Sequence, residues 1–283
     1  MKLSEIKILI HHELSEIYSK SETEELFSIF CEHFLYLNKI ELRHNMDKDL
    51  SESDSNQFSK AISELKTGKP FQQILGETEF YGMKFFVNEQ VLIPRPETEE
   101  LLELSIRKIQ EKSKKNQGLK ILDIGTGSGV ISIVLKKFFP EAEVTAIDIS
   151  VEALEVAKRN ADFHQTEINF INKDYLTEGL DEVFAVIISN PPYIGIEENP
   201  EIEVSVKGFE PNLALFSPTS DALIFYRKIA EDCKNHLAEN GFLFLEINQK
   251  LGKETLELYK EGFSEVELLK DISENDRMIF GRK

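Results

Sequence analysis

Apolar positions along this chain follow two periods, and the change from one to the other marks its organisation. Leu26, Phe27, Phe30, Phe34 and Leu37 recur at helical spacing, the pattern of one buried helix face. Ser21-Glu22-Thr23-Glu24 just before them has the form of a capping box, in which Ser21 and Glu24 satisfy each other's orphan backbone donors. The polar stretch 47–57 predicts a loop. A short helix carrying Phe58, Ile62 and Leu65 comes after it and ends at Gly68 and Pro70. Residues 1–70 are thus expected to form a small helical domain.

Residues 71–96 carry a different pattern. Two strand-like runs, Glu79–Val87 and Gln90–Ile93, flank Asn88-Glu89 and predict a β-hairpin linker. Pro94-Arg95-Pro96 blocks continuation. Thr98 or a neighbour then caps a helix with Leu101, Leu102, Ile106 and Ile109 on one face, and the polar segment Lys112 to Gly118 reads as a connector. Beyond Lys120 strands alternate with helices. The strands fall at 120–124, 143–148, 168–172, 184–189 and 242–247, with a final pair near 263–269 and 277–281. Helices begin near Ser128, Ser150, Asp221 and Gly252. This alternation predicts an α/β domain over 97–283 with a mostly parallel sheet covered on both faces.

Composition narrows the class. The 283 residues are 41% hydrophobic, enough for a sizeable core, and no stretch approaches the ~18–20 uncharged apolar residues of a membrane span. The first seven residues carry charges where a signal peptide needs an apolar core. Cys31 and Cys233 are the only cysteines, too few for a disulfide framework or a zinc cluster. A cytoplasmic setting is expected, without a membrane partner. The net charge is −18, and the sequence carries no obvious basic patch of the kind that grips a nucleic-acid backbone unaided. The six histidines show no paired metal spacing, so no metal is assigned.

Two segments carry chemistry. Gly125-Thr126-Gly127-Ser128-Gly129 succeeds the strand 120–124 and opens a helix, giving a tight turn that a ligand can approach closely. Asp148 stands 23 positions after Gly125, at the end of the next strand, where its carboxylate can accept both hydroxyls of a ribose. Asp174-Tyr175 comes after the third strand; the carboxylate is expected to accept from an adenine amino group while the ring packs on the base. The G-x-G-x-G spacing suits a nucleoside without a pyrophosphate, S-adenosylmethionine, better than NAD. Asn190-Pro191-Pro192-Tyr193 ends the apolar run Phe184–Ser189. Its prolines donate no hydrogen bond and fix φ, so the turn is stiff and its carbonyls stay free to accept. Acceptors beside an aromatic ring suit a planar, uncharged –NH2 group. The long connection 194–219 holds Glu197, Glu198 and Glu210, and Glu210 reads either as a contact to the substrate backbone or as a solvated loop carboxylate. Arg95 is expected to order the hairpin linker of which it is part rather than to serve the substrate.

Together these segments resemble the protein-(glutamine-N5) methyltransferases of peptide-chain release factors. The resemblance covers most of the chain from Phe71 and rests above all on Val91–Glu99, the glycine loop and Ser189–Ile194. Phe209-Glu210-Pro211, Ala214-Leu215, Phe225-Tyr226 and Asp276-Arg277 also match. It implies a Rossmann-like class I methyltransferase domain with a seven-stranded sheet, and helices 1–70 that help recognise the protein substrate. It implies S-adenosyl-L-methionine bound by Gly125, Thr126, Gly127, Ser128, Gly129, Asp148, Asp174, Tyr175 and Asn190, with S-adenosyl-L-homocysteine as product. Asn190, Pro191 and Tyr193 would be catalytic. Asn190, Pro191, Pro192, Tyr193 and Glu210 would hold the glutamine of a Gly-Gly-Gln motif, with a monomeric enzyme and a release factor as partner. Amino methyltransferases acting on adenine or guanine of nucleic acid share Asn-Pro-Pro-Tyr and are the alternative. The chain departs from the family at Asn248, near which a glycine is usual.

Overall fold

The computed structural model describes residues 1–112, 118–195 and 208–283. The predicted connector residues 113–117 and the loop carboxylates Glu197 and Glu198 lie outside the described residues. The chain divides into two compact units: Met1–Gly76 with residues 208 and 209, and the described residues of Glu77–Ile202 and Glu210–Lys283.

The first unit is helical: α1 (Leu3–Leu14), α2 (Lys20–Leu35), α3 (Lys39–His44), α4 (Glu52–Leu65) and α5 (Phe71–Leu75). Its core joins Leu3, Ile6 and Ile10 to Phe27, Phe30 and Phe58. Phe34 stacks on Phe30 at 5.5 Å and meets Phe58 edge-on at 5.3 Å. The capping box lies two residues earlier than its sequence pattern suggests. The Ser19 hydroxyl accepts from the Glu22 N–H, and the Glu22 carboxylate accepts from the Ser19 N–H at 2.7 Å, so Ser21 is inside α2. The expected loop 47–57 is only partly a loop. Ser51 caps the Asp54 N–H at 3.0 Å and starts α4 at Glu52; the first polar residues of that helix are mostly solvent-facing, which hid it from a hydrophobic pattern.

The second unit opens with a hairpin, β1 (Glu77–Phe80) and β2 (Met83–Phe86). Its turn is Tyr81-Gly82, not Asn88-Glu89. Both turn residues have positive φ (52° and 68°), as a two-residue type I′ turn requires, and Phe80 pairs with Met83 across it. Asn88 instead folds back on itself, its side-chain oxygen accepting from the Gln90 N–H at 3.0 Å.

Next along the chain come α6 (Pro96–Lys112), β3 (Lys120–Ile124), α7 (Val130–Phe138), β4 (Glu143–Asp148), α8 (Val151–His164), β5 (Asn169–Asn172) and β6 (Phe184–Ser189). The unit closes with α9 (Asn212–Leu215), α10 (Ile224–His236), β7 (Leu237–Glu246), α11 (Gly252–Glu257), β8 (Glu265–Lys270) and β9 (Asp276–Arg282). The seven-stranded sheet has the order β5-β4-β3-β6-β7-β9-β8, parallel except for β9. β7 starts five residues before its predicted beginning at Phe242, and its pairing with β6 shifts register between Phe184 and Val186. Successive strands run outward from β3 to one side and then restart at β6 on the other. β3 is therefore the switch point, the place where open α/β sheets bind ligands beyond their carboxyl ends.

One buried side chain ties the hairpin to the sheet's first loop. Asn160 on α8 is fully buried; its oxygen accepts from the Phe86 N–H at 2.7 Å, and its amide donates to the carbonyls of Phe86 (3.0 Å) and Ser128 (2.9 Å). Asn160→Ala strands these three backbone groups. We expect a loss of about 2–4 kcal/mol, read in urea as a lower midpoint with unchanged slope; a loss below about 1 kcal/mol would contradict this role.

Candidate active site

Register builds the site. Ile124 at the end of β3 pairs with Ile147 of β4 and with Ser189 of β6, and Ser189 pairs with Leu245 of β7. The next residue on each strand therefore falls in one row across the sheet's carboxyl edge: Asp148, Gly125, Asn190 and Glu246. Ser189 reinforces the row, its hydroxyl donating to the Ile124 carbonyl at 2.7 Å.

The glycine loop is held from below. The N–H groups of Gly125 and Thr126 both donate to the Ile147 carbonyl, at 2.9 and 3.1 Å. The Asp148 carboxylate accepts from the Gly127 N–H at 2.8 Å and from the Ser150 N–H at 3.0 Å, so it fastens the loop to the end of β4 while lone pairs remain. Gly129 caps α7 at φ 82°, where a Cβ would come within 3.1 Å of the Ala157 Cβ; the close helix approach and the backbone angle both demand glycine. A Cβ on Gly125 or Gly127 would meet no heavy atom within 4 Å, so the upper surface of the loop faces open space. Thr126 and Ser128 are buried. The Thr126 hydroxyl donates to Asp123 Oδ2 at 2.7 Å, so this side chain supports the loop from beneath.

Asp123 is fully buried below the loop, and its Oδ1 has no hydrogen-bond partner among the described residues. Burial raises its carboxyl to about 7, with Thr126 opposing the rise and the neighbouring Asp148 adding to it. Asp148 is itself raised by burial, against the pull of its backbone donors.

On the other side of the row, the Asn190 amide nitrogen donates to Thr98 Oγ1 at 3.1 Å, and Thr98 donates to Glu246 Oε2 at 2.6 Å. The Tyr193 hydroxyl donates to the other oxygen of Glu246 at 3.3 Å. Among the described residues, Asn190 Oδ1 and the carbonyls of Asn190, Pro191 and Pro192 accept no hydrogen bond. Thr98 is thus no helix cap: it lies inside α6, which starts at Pro96, and links Asn190 to a buried carboxylate. Burial lifts the Glu246 carboxyl to about 7, opposed by Thr98 and by Arg277, whose Nε donates to Asp271 at 3.0 Å. Burial likewise raises the Tyr193 phenol, and Glu246 raises it further. Asn248, near which the sequence departs from the expected glycine, has φ −66°, a backbone angle that asks for no glycine. Its oxygen caps the Lys250 N–H at 2.9 Å and its amide donates to the Tyr193 carbonyl at 3.2 Å.

Two sequence expectations are corrected here, those for Tyr175 and Glu210. Tyr175 cannot stack on a ligand: it is 5% exposed and packed in the core cluster with Ile124, Ile147 and Tyr226. The Asp174 carboxylate accepts from the Leu176 N–H and the Thr177 hydroxyl in its own loop and stays partly exposed, with lone pairs to spare. Glu210 is neither a solvated loop carboxylate nor open to substrate. It is buried, ion-paired with Arg95 and accepting from the Ile93 N–H at 2.9 Å. Arg95 accordingly orders its own segment. Glu246 and Asp123 were signalled by lone carboxylates within apolar strands, a pattern that buried strands rarely tolerate without a partner. Thr98 carried no such signal.

Comparison with known proteins agrees with this layout. Residues 103–204 match the methyltransferase small domain, and residues 9–76 match the PrmC N-terminal domain. A release factor glutamine methyltransferase of Flavobacterium psychrophilum is 48% identical, over 94% of each chain. Those of Streptococcus pneumoniae and Bacteroides thetaiotaomicron are 39% and 36% identical, the first over 93% of each chain, the second over 98% of this chain and 99% of its own. A crystal structure of a methyltransferase from Pyrococcus furiosus superposes with a TM-score of 0.51 at 19% identity, covering 82% of this chain and 99% of its own, and so shares the fold. With relatives this similar along nearly its whole length, the chain belongs to the family of release factor glutamine methyltransferases.

Proposed function

We propose that the crevice beyond β3 and β6 moves a methyl group from S-adenosyl-L-methionine to the side-chain amide nitrogen of a glutamine in a peptide-chain release factor. One observation carries the reading: Asn190 is pinned through its NH2, which turns its oxygen and the adjoining proline carbonyls into a set of acceptors with no donors among them.

The residues present suit the cofactor. Open space lies above Gly125 and Gly127, and Asp148 keeps lone pairs for ribose hydroxyls. Gly125, Gly127 and Asp148 would hold the nucleoside, with Thr126, Ser128 and Asp123 shaping the loop beneath. When bound, S-adenosylmethionine supplies an electrophilic sulfonium methyl.

The protein's task is to present the other reactant. A glutamine nitrogen is a poor nucleophile because its lone pair is delocalised into the carbonyl. Asn190 Oδ1 and the Pro191 carbonyl accept its two N–H bonds and fix its direction; positioning of this kind contributes several kcal/mol, up to ~7–11 in ideal cases. Tyr193, held by Glu246, lends a rigid ring beside them. The nitrogen becomes strongly acidic once methylated, so its proton leaves to water without a dedicated strong base. The exocyclic amine of a nucleobase offers similar donors, but a net charge of −18 works against a polyanionic partner. No helix among the described residues is long and apolar enough to cross a membrane.

Asn190→Ala should abolish methyl transfer to a purified release factor while S-adenosylhomocysteine binding, measured by calorimetry, stays within a few fold. Near-normal turnover in that variant would overturn the assignment. Asp148→Ala should weaken S-adenosylhomocysteine binding about tenfold or more; unchanged affinity would remove Asp148 from the nucleoside site.

A further inference from the structure

Asn190 can act as an acceptor only if its amide faces one way. An asparagine side chain turned by half a rotation would offer NH2 where it should offer oxygen, and shape alone hardly distinguishes the two. Something must fix the direction, and proton bookkeeping in the surrounding network does so.

An ionised carboxylate can only accept hydrogen bonds. Thr98 therefore spends its single O–H on Glu246 Oε2, at 2.6 Å. That leaves Thr98 Oγ1 only lone pairs to show Asn190, so Asn190 must offer its NH2 there, at 3.1 Å. Its oxygen is thereby directed away from Thr98. Tyr193, donating to Oε1, keeps the second carboxylate oxygen in the accepting role as well. A proton on Glu246 facing Thr98 reverses this order: Thr98 would accept from Glu246, donate to Asn190, and draw the amide oxygen inward.

We infer that Glu246, acting through Thr98, is a positioning residue that sets the orientation of the Asn190 amide and with it the acceptor presented to the substrate nitrogen. The inference rests on the substrate-holding role proposed for Asn190. Glu246 is buried; it acts on Asn190 through the Thr98 hydroxyl and separately holds the Tyr193 hydroxyl. Its surroundings hold it close to the point of protonation. Thr98 and Glu97 face it from α6, Tyr193 from the loop after β6, and Arg277 from β9, with Asp271 paired to Arg277. The Tyr226 hydroxyl of α10 donates to the Glu246 carbonyl at 3.1 Å. Burial raises its carboxyl to about 7 in total. A carboxyl so raised is ionised above that pH and protonated below it, so ordered presentation should fail on the acid side.

The test is the pH dependence of kcat for methyl transfer to a purified release factor, in the wild type and in Thr98→Val, Thr98→Ser, Glu246→Gln and Asn190→Ala. S-adenosylhomocysteine affinity serves as the check that each variant is folded. The wild type should lose kcat as pH falls through about 7. Thr98→Val should lower kcat by as much as about 100-fold and flatten that acid limb. Thr98→Ser, which keeps the hydroxyl, should recover kcat to within a few fold and restore the limb. Glu246→Gln has no proton to gain and should show no acid limb, whatever its absolute rate. An acid limb that persists unchanged in Glu246→Gln overturns the inference, as does a Thr98→Val enzyme with wild-type kcat. Those outcomes beside an inactive Asn190→Ala would defeat the positioning role alone. An active Asn190→Ala would defeat the proposed function beneath it.

Discussion

The parallel pairing of β3 with β4 on one side and β6 on the other is the constraint on which the site depends. Because Ile124 lies opposite both Ile147 and Ser189, the chain leaves three strands at the same height. Asp148, the glycine loop and Asn190 are neighbours for that reason, although 42 positions of sequence separate Asp148 from Asn190. A slip of one residue in β6 would move Asn190 out of the row and turn the alternate side chains of a buried strand to the wrong face. The buried, mostly apolar runs Ile121–Ile124 and Val186–Ser189 hold the register, and the Ser189 hydroxyl pins its last rung.

Upon that frame the edge of the sheet divides its labour. The β3–β4 side is a cradle, a loop drawn down by the Ile147 carbonyl and the Asp148 carboxylate and open above. The β6–β7 side is a clamp, where a stiff proline turn is braced by Thr98, Tyr193, Glu246 and Asn248. Burying two carboxyls and partly burying a third at one end of a sheet is costly in a low-dielectric interior. Asp123, Asp148 and Glu246 are all pushed upward by it, and such groups cluster where a protein does chemistry.

Legibility in the sequence tracked the range of each interaction. The glycine loop, Asp148 and Asn190–Tyr193 are short segments at strand ends, and strand runs betray themselves by continuous apolar residues. The sheet strands of the second unit were therefore legible to within a few residues, apart from the early start of β7. Features decided by a partner far along the chain were not. Glu210 reads as a loop carboxylate until Arg95, more than a hundred positions earlier, is brought against it. Thr98 reads as a helix cap until Glu246 is folded beneath it. Local backbone choices also misled where two turns competed: Tyr81-Gly82 took the hairpin because both residues hold positive φ, leaving Asn88 to a turn of its own. Tyr175 looked like a stacking platform because the apolar pattern of a strand carries no information on which way a ring turns in the loop beyond it.

The most direct measurement is tandem mass spectrometry of a purified release factor after incubation with this protein and S-adenosylmethionine. One methyl group on the side-chain nitrogen of the Gly-Gly-Gln glutamine is the expected result. A release factor left unmodified, with methyl appearing on nucleic acid supplied in the same reaction, would contradict it.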